Sequence, residues 1–229
     1  MNRPRRTQVG RLILVIGLVG LAGPAAADPR PSLSIVLHVC GDARIQPNLV
    51  SRAKTEMSRI YRDAGIDIVW TREAPITLII LSRELTDQLT VATTALGGAV
   101  GTREYQGRTA YVFYHRVENV ARTYLKTSRT RGDYDIDNVI VLAHAMAHEI
   151  GHLLLPYGHS ATGLMRADWD ARDMRLAVHG RLNFTSQQAQ LIRTRLLALL
   201  ADTRATRGRD AAPQNTSTGR RTRPIKVSG

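Results

Sequence analysis

Short apolar runs in the first half of the chain predict a β-sheet with one helix between its strands. These runs are rich in β-branched residues and are bounded by turn-forming or charged residues, as strands are. Apolar residues recur at helical spacing over 47–64, and Gly65 ends this predicted helix. The AVG segment at 99–101 is a candidate hairpin partner of the last strand. The predicted strands are 32–40, 66–70, 76–82 and 109–115.

The second half of the chain is dominated by one long apolar segment, 136–155, which Pro156 ends. Apolar residues lie on nearly every side of this predicted helix, so it should be buried between layers of the domain. A helix over 117–127 is predicted before it, with 127–135 as a loop. A last helix, over 185–200, is predicted to pack on the domain as a lid. The order of elements predicts an α+β domain, in which helices back a mixed sheet and the long helix lies under it.

The N-terminal residues have the pattern of a signal peptide. Basic MNRPRRTQVG precedes an apolar stretch, and a run of small residues ends at Ala27. We therefore predict cleavage after Ala27 and export to the periplasm or out of the cell. The apolar stretch holds about a dozen residues, whereas a membrane span needs roughly 20, so an uncleaved anchor is the less favoured alternative. The predicted organisation is a signal peptide at 1–27, a globular domain at 28–202 and a disordered basic tail at 203–229.

The net charge of +13 is concentrated at the two ends of the chain. Residues 1–27 contribute +4 and residues 201–229 contribute +5, which leaves +4 for residues 28–200. The globular part is only mildly basic, so the charge does not predict specific nucleic-acid binding. Binding of the tail to anionic surfaces is an alternative role, although a solvated tail without function suits its composition better. The single cysteine, Cys40, excludes an intrachain disulfide, and its position at the end of an apolar run predicts burial.

HEIGH, residues 148–152, has the spacing of a zinc-binding helix. His148 and His152 stand one turn apart on the same helical face, where two imidazoles can share a tetrahedral zinc. Glu149 is placed to reach the water at the open coordination position and to act as general base. Gly151 removes a side chain beside the metal and lets another segment approach closely. Ionisable groups clustered on so apolar a helix need partners, which favours a metal site over a structural role.

Histidines and carboxylates compete as candidates for the third ligand. His144 continues the i, i+4 series, but it lies about 12 Å along the helix axis from His152 and so beyond the reach of an ion held there. His159 is favoured, because Pro156 ends the helix and Gly158 permits a tight turn that brings the chain back under the metal. The remaining alternative is a downstream carboxylate: Asp168, Asp170 or Asp173.

HEIGHLLLPYGHSATGLM, residues 148–165, resembles the active-site region of the metzincin branch of zincin metallopeptidases. More narrowly, it resembles small exported bacterial proteins with an HExGH core, a later HS and a G-[IL]-M. The metzincin pattern HExxHxxGxxH is matched through His152, after which Leu155 stands in place of its Gly and His159 follows one residue late. The later GLM is similar to the family's Met-turn, in which a methionine, here Met165, lies beneath the histidines. The resemblance implies a zincin-like fold: a twisted mixed sheet over the active-site helix, a C-terminal helical subdomain, and a substrate cleft along the edge strand.

These residues together predict an exported zinc-dependent metalloendopeptidase. Zn²⁺ would be bound by His148, His152 and His159. Glu149 would be the catalytic general base for a zinc-activated water that attacks a peptide carbonyl, and Met165 would form the base of the site. The expected partner is a peptide or protein substrate, with no specific nucleic acid and no stable membrane insertion after signal cleavage. The alternative is a zinc-binding protein of the same fold with little or no activity, which acts as a binding module. Candidates for stabilising the oxyanion, by position alone, are Tyr157 and Arg166.

Overall fold

The computed structural model describes residues 33–42, 44–89, 94–100, 108–124, 131–156 and 158–210, with the backbone alone for 131–136 and 202–210. Its elements combine a five-stranded sheet with helices, which confirms the predicted α+β class. The strands within these residues are β1 Leu33–Gly41, β2 Ile66–Trp70, β3 Ile76–Leu81, β4 Gly97–Val100 and β5 Thr109–Phe113. The helices are α1 Pro47–Asp63, α2 Arg83–Thr86, α3 Tyr114–Tyr124, α4 Arg131–Leu154, α5 Ala171–Val178 and α6 Ser186–Asp210.

The sheet is mixed, with the strand order β2-β1-β3-β5-β4. Four strands run parallel, and β4 pairs antiparallel with β5 at one edge, which confirms the predicted pairing of the AVG segment. In register, Leu78 lies beside Ala110, and Ile80 beside Val112. Val112 in turn lies beside Gly97, so these positions share one face of the sheet. Within the described residues, no strand pairs with the outer side of β4.

Helix α4 forms the centre of the domain. It contacts β4, β5, α1, α3 and α5. Residues 141–150 are all buried, which explains why apolar side chains surround the whole circumference of this helix. A polar contact also links it to α1, because the Tyr61 hydroxyl donates to the Ala147 carbonyl at 3.2 Å. The predicted buried helix is therefore confirmed, and it brings the HEIGH motif beneath the antiparallel edge of the sheet.

Helices α4, α5 and α6 each differ from the sequence-based expectation. Helix α4 already includes 131–135, which were predicted as a loop. Extending a helix from a stable buried end costs little per residue, and no proline interrupts this stretch. The sequence pattern does not predict α5, because its eight residues give little periodicity and its start depends on a capping box between Asp170 and Asp173. Helix α6 reaches Asp210, so the predicted end of the domain at 202 falls inside it.

The predictions for both termini lie outside the described residues. They concern the signal peptide at 1–27, its cleavage after Ala27, and the part of the basic tail beyond 210. In the part of the chain that the structure describes, no helix is both long and apolar enough to cross a membrane.

The prediction that Cys40 is buried is wrong. Cys40 is exposed, because it lies near the carboxyl end of β1, beyond the buried residues of that strand. The Nδ1–H of His38 donates to the Thr71 carbonyl at 3.1 Å, which leaves its Nε2 to accept from the Cys40 thiol at 2.9 Å. The thiol is therefore part of a surface hydrogen-bond chain and not of the core.

Candidate metal centre

Three histidines converge at the end of α4 and in the loop that follows. Each of His148, His152 and His159 places one ring nitrogen so that the three atoms lie within 4.8 Å of one another. The two helical imidazoles meet edge to face, with ring centroids 4.7 Å apart. The ring of His159 lies 5.3 Å from that of His148 and 4.9 Å from that of His152. The structure therefore brings together the three residues that the sequence predicts as metal ligands.

The orientation of His148 is fixed by a carbonyl on the next loop. Its Nδ1–H donates to the Leu164 carbonyl at 2.8 Å, so its Nε2 carries no proton and faces the cluster. That Nε2 lies 3.0 Å from Nε2 of His152. Burial lowers the pKa of both imidazoles to about 4. Both rings are therefore neutral near pH 7, which is the form that binds a metal.

The loop that carries His159 is held by hydrogen bonds from two directions. The Ser160 N–H donates to the Met165 carbonyl at 2.8 Å. The Ser160 hydroxyl donates to the Thr162 carbonyl and accepts from the buried amide of Gln188 on α6 at 2.9 Å. His159 itself is exposed, so these bonds to its neighbour, and not burial of its own ring, restrict where it lies.

The turn that leads to His159 does not need a glycine, contrary to the sequence-based expectation. Among the described glycines, Gly158 is not one of those with a positive φ. A Cβ added to it would meet nothing within 4 Å. The helix ends at Leu154 just before Pro156, and Gly158 does not adopt the positive-φ conformation that favours glycine.

The other ligand candidates lie outside the cluster that the described residues form. His144 is fully buried and its Nδ1–H donates to the Ile140 carbonyl at 2.7 Å, one turn back on its own helix. Asp170 and Asp173 cap α5 and form ion pairs with Arg166. Asp168 is exposed and lines the cleft, but it is not part of the histidine cluster.

Met165 packs directly beneath the motif helix. It is fully buried, and a Cβ added to Gly151 would lie 2.5 Å from its sulfur and 3.1 Å from the Phe184 ring. Real Cβ atoms do not approach so closely, so the missing side chain at 151 is what lets the methionine lie against the turn between the two helical histidines. This confirms the sequence-based expectation that Gly151 permits close approach of another segment.

Glu149 lies between α4 and the edge strand β4. A Cβ added to Gly97 would lie 2.6 Å from Cγ and 2.7 Å from Cδ of Glu149. Strand β4 can therefore cover the carboxylate only because residue 97 has no side chain. Burial raises the pKa of Glu149 to about 8.

These groups face a cleft of about 1100 Å³. Its walls come from β4, α3, α4, the loop around Met165, and α6. Arg166 lines it, but the Arg166 guanidinium is paired with two carboxylates, 2.8 Å from Asp170 and 2.5 Å from Asp173. The other residue predicted by position to stabilise an oxyanion, Tyr157, lies outside the described residues.

Sequence reasoning missed several residues of this site. Trp169 packs edge to face on His148, with ring centroids 5.6 Å apart, and its indole N–H donates to the same Leu164 carbonyl at 3.2 Å. Gly97 and Gln188 also contact the site, from β4 and α6. The sequence carries no signal for Gln188, whereas Gly97 could have been found, because glycine inside a strand often marks a close approach of the backbone to another group.

Comparisons with known proteins found only distant similarity between this structure and solved structures. No protein-family model matches the chain, and no curated protein matches it. The chain is similar to archaemetzincin from Methanopyrus kandleri, with 15% identity and a TM-score of 0.45 over 73% of this chain and 98% of that one. It is also similar to high choriolytic enzyme 1, a hatching enzyme zinc-protease from the medaka Oryzias latipes, with 13% identity and a TM-score of 0.28 over 55% of this chain and 45% of that one. At such low identity, the function of this chain has to follow from its own residues.

Proposed function

We propose that this protein is an exported zinc-dependent metallopeptidase of the metzincin type, which hydrolyses peptide bonds with Glu149 as general base. The observation that carries the proposal is the convergence of three histidine nitrogens within 4.8 Å, beside a buried carboxylate in an open cleft. The signal-peptide pattern of residues 1–27 supports export.

The donor set suits zinc. Nitrogens bound to one tetrahedral zinc lie about 3.4 Å apart, given Zn–N distances of about 2.0–2.1 Å. Nε2 of His148 and Nε2 of His152 are 3.0 Å apart, and neutral imidazoles are good zinc ligands. When bound, zinc would lower the pKa of a water molecule and polarise the scissile carbonyl.

Glu149 is suited to move the proton. Its side chain is almost fully buried, so its carboxylate is shielded from bulk water. Burial favours its protonated form, whereas a nearby divalent cation favours the ionised form. Burial raises the pKa of the carboxyl group and the cation lowers it, so the pKa is held near neutrality. Such a group can take a proton from water and then give it to the departing amine. Because residue 97 has no side chain, β4 lies directly against Glu149.

The number of ligands favours catalysis over a binding module with a closed metal site. Catalytic zinc sites have three protein ligands and one open position, whereas structural sites have four protein ligands. In the described part of the chain, the cluster holds three residues, and its third member, His159, is exposed at the cleft. The substrate we propose is a peptide or protein segment that enters this cleft. We propose no specific nucleic-acid partner and no stable membrane insertion after signal cleavage.

Metal analysis of the purified mature protein tests the ligand set. We expect about one zinc per chain in the wild type, and loss of most of it in His159→Ala. Asp168→Asn is the matched control, because Asp168 lines the same cleft but stands outside the cluster. Zinc retained in His159→Ala and lost in Asp168→Asn would show that a carboxylate is the third ligand. A wild type that binds no zinc would contradict the proposed function.

A further inference from the structure

One arginine in the cleft has no partner in the part of the chain that the structure describes. Arg195 lies on α6, lines the cleft and is half-buried. The other arginine of the cleft, Arg166, is paired with Asp170 and Asp173. Arg193, two residues before Arg195, donates to the Ala64 carbonyl at 2.7 Å on a different side of α6.

Burial without a partner is unfavourable for a cation. Burial lowers the pKa of Arg195, and no acidic group among the described residues opposes that shift. A guanidinium nevertheless stays charged at neutral pH. A charged group that is partly removed from water and lacks a counter-charge is most stable when a ligand supplies that charge.

The position of Arg195 relates it to the metal centre. Gln188 and Arg195 are seven residues apart on α6 and therefore lie on the same helical face. Gln188 contacts the loop of His159 through Ser160. Arg195 therefore lies about 10 Å along α6 from Gln188 and lines the same cleft as the histidine cluster.

We propose that Arg195 is a specificity-determining residue that binds a carboxylate of the substrate in the cleft. The proposal rests on the proposed peptidase function. The carboxylate is either the side chain of Asp or Glu or the C-terminal carboxylate of a short peptide. Both fit a planar guanidinium, which binds carboxylates through two parallel hydrogen bonds.

The test compares paired peptides that differ by one charge. In one set, Glu or Gln occupies each position in turn; in the other, the C-terminus is a free acid or an amide. Binding of each fluorescent peptide is measured with zinc-loaded Glu149→Gln protein, in which cleavage is suppressed, and cleavage is measured with the wild type. We expect about tenfold tighter binding and faster cleavage of the acidic member at one position, a difference equal to about 1.4 kcal/mol.

Charge variants assign this preference to the arginine. Arg195→Gln should abolish it, and Arg195→Glu should reverse it in favour of Lys at the same position. Arg52→Glu is the matched control, because Arg52 is exposed on α1, away from the cleft. This substitution changes the net charge by the same amount as Arg195→Glu. Thermal unfolding checks that each variant is folded. If Arg195→Glu does not fold, the loss of selectivity in Arg195→Gln tests the proposal by itself.

The outcomes separate this proposal from the proposed function. Acid-selective binding that depends on Arg195, without cleavage by the zinc-loaded wild type, would support the carboxylate site and contradict the peptidase. Cleavage by the wild type at equal rates for both members of every peptide pair would support the peptidase and contradict the carboxylate site. Selectivity that persists in both Arg195 variants, or no binding of any peptide, would overturn the carboxylate site.

Discussion

At the scale of single residues, His144 shows how a histidine beside a metal motif can belong to the core. It continues the spacing of His148 on α4, yet its ring is fully buried and its Nε2 has no hydrogen-bond partner among the described residues. Burial lowers the pKa of His144 to about 4 and outweighs the hydrogen bond to the Ile140 carbonyl, the backbone of Leu182 and the charge of Glu56, which all favour the protonated form; Arg59 on α1 adds weakly to the lowering. His144 is therefore neutral in the folded protein at every pH above that value.

Replacing His144 with Asn should make stability less dependent on pH. The unfolded chain binds a proton at this position below about pH 6.5, whereas the folded chain does so only near pH 4. As the pH falls between these values, the free energy of unfolding of the wild type should drop by on the order of 3 kcal/mol through this group. Urea unfolding at several pH values, with a chelator present, measures the free energy of unfolding. Because His148 and His152 titrate in both the wild type and the variant, the difference between the two proteins reports on His144. If the free energy of unfolding of His144→Asn fell as much as that of the wild type between pH 6.5 and pH 4, the prediction would be contradicted.

The convergence of His148, His152 and His159 was predictable from the sequence, but the residues that surround them were not. Helical spacing alone places His148 above His152, and axial distance alone excludes His144. Trp169 and Gln188 reach the site through tertiary packing between elements far apart in sequence, which no local pattern records. The same reason explains Cys40, whose apolar sequence neighbourhood predicted burial although its end of the strand extends beyond the core.

At the scale of elements, the edge strand β4 and helix α4 meet at Glu149. The contact requires glycine at 97, whereas a Cβ at the next position, Gly98, would meet nothing within 4 Å. The two neighbouring glycines of β4 therefore form a natural pair of test and control positions.

Gly97→Ala should lower kcat by about a hundredfold, because the added methyl group would clash with the Tyr111 carbonyl on β5 and with Glu149, and so displaces β4 or the proposed general base. Gly98→Ala should leave kcat within about twofold of the wild type, since nothing opposes its methyl group. Zinc content should stay unchanged in both, and peptide hydrolysis with parallel thermal unfolding measures the effect. Equal activity in the two variants would show that the approach of β4 to Glu149 does not matter for catalysis.

Helix α6 contacts the loop of His159 through Ser160. Gln188 donates to the Ser160 hydroxyl at 2.9 Å, and the same Gln188 forms reciprocal hydrogen bonds with Thr185 at the start of α6. One side chain therefore both stabilises the beginning of α6 and restrains the loop of His159.

Ser160→Ala should weaken zinc binding by about tenfold, because partners that orient a ligand typically contribute a factor of 10 to 100 in affinity. Thr185→Ala is the control: it removes a capping interaction worth about 1 kcal/mol but leaves the Ser160 hydroxyl in place. Competition with a chromophoric chelator measures zinc affinity in both. A Thr185→Ala affinity as weak as that of Ser160→Ala would indicate general loosening of α6 and not an effect of the hydroxyl.

At the scale of the whole molecule, strand runs and the buried helix predicted the α+β class and the mixed sheet. A run of alternating or continuous apolar residues identifies a strand or a buried helix by itself, which is why β2, β3 and the apolar part of α4 were predictable. The short α5 and the extension of α6 to Asp210 depend on capping and on helix propagation, which weak local patterns do not reveal. The result is a cleft in which elements from both halves of the chain surround one histidine cluster.

The most direct test of the central claim is peptide hydrolysis by zinc-loaded wild type and Glu149→Gln. Gln has nearly the shape of Glu but cannot accept the proton from water, so the variant should bind as much zinc as the wild type. Its kcat should fall by a factor of about 100 to 10,000, the usual contribution of a general base. Unchanged hydrolysis in Glu149→Gln with zinc still bound, or no hydrolysis by the zinc-loaded wild type, would contradict the account.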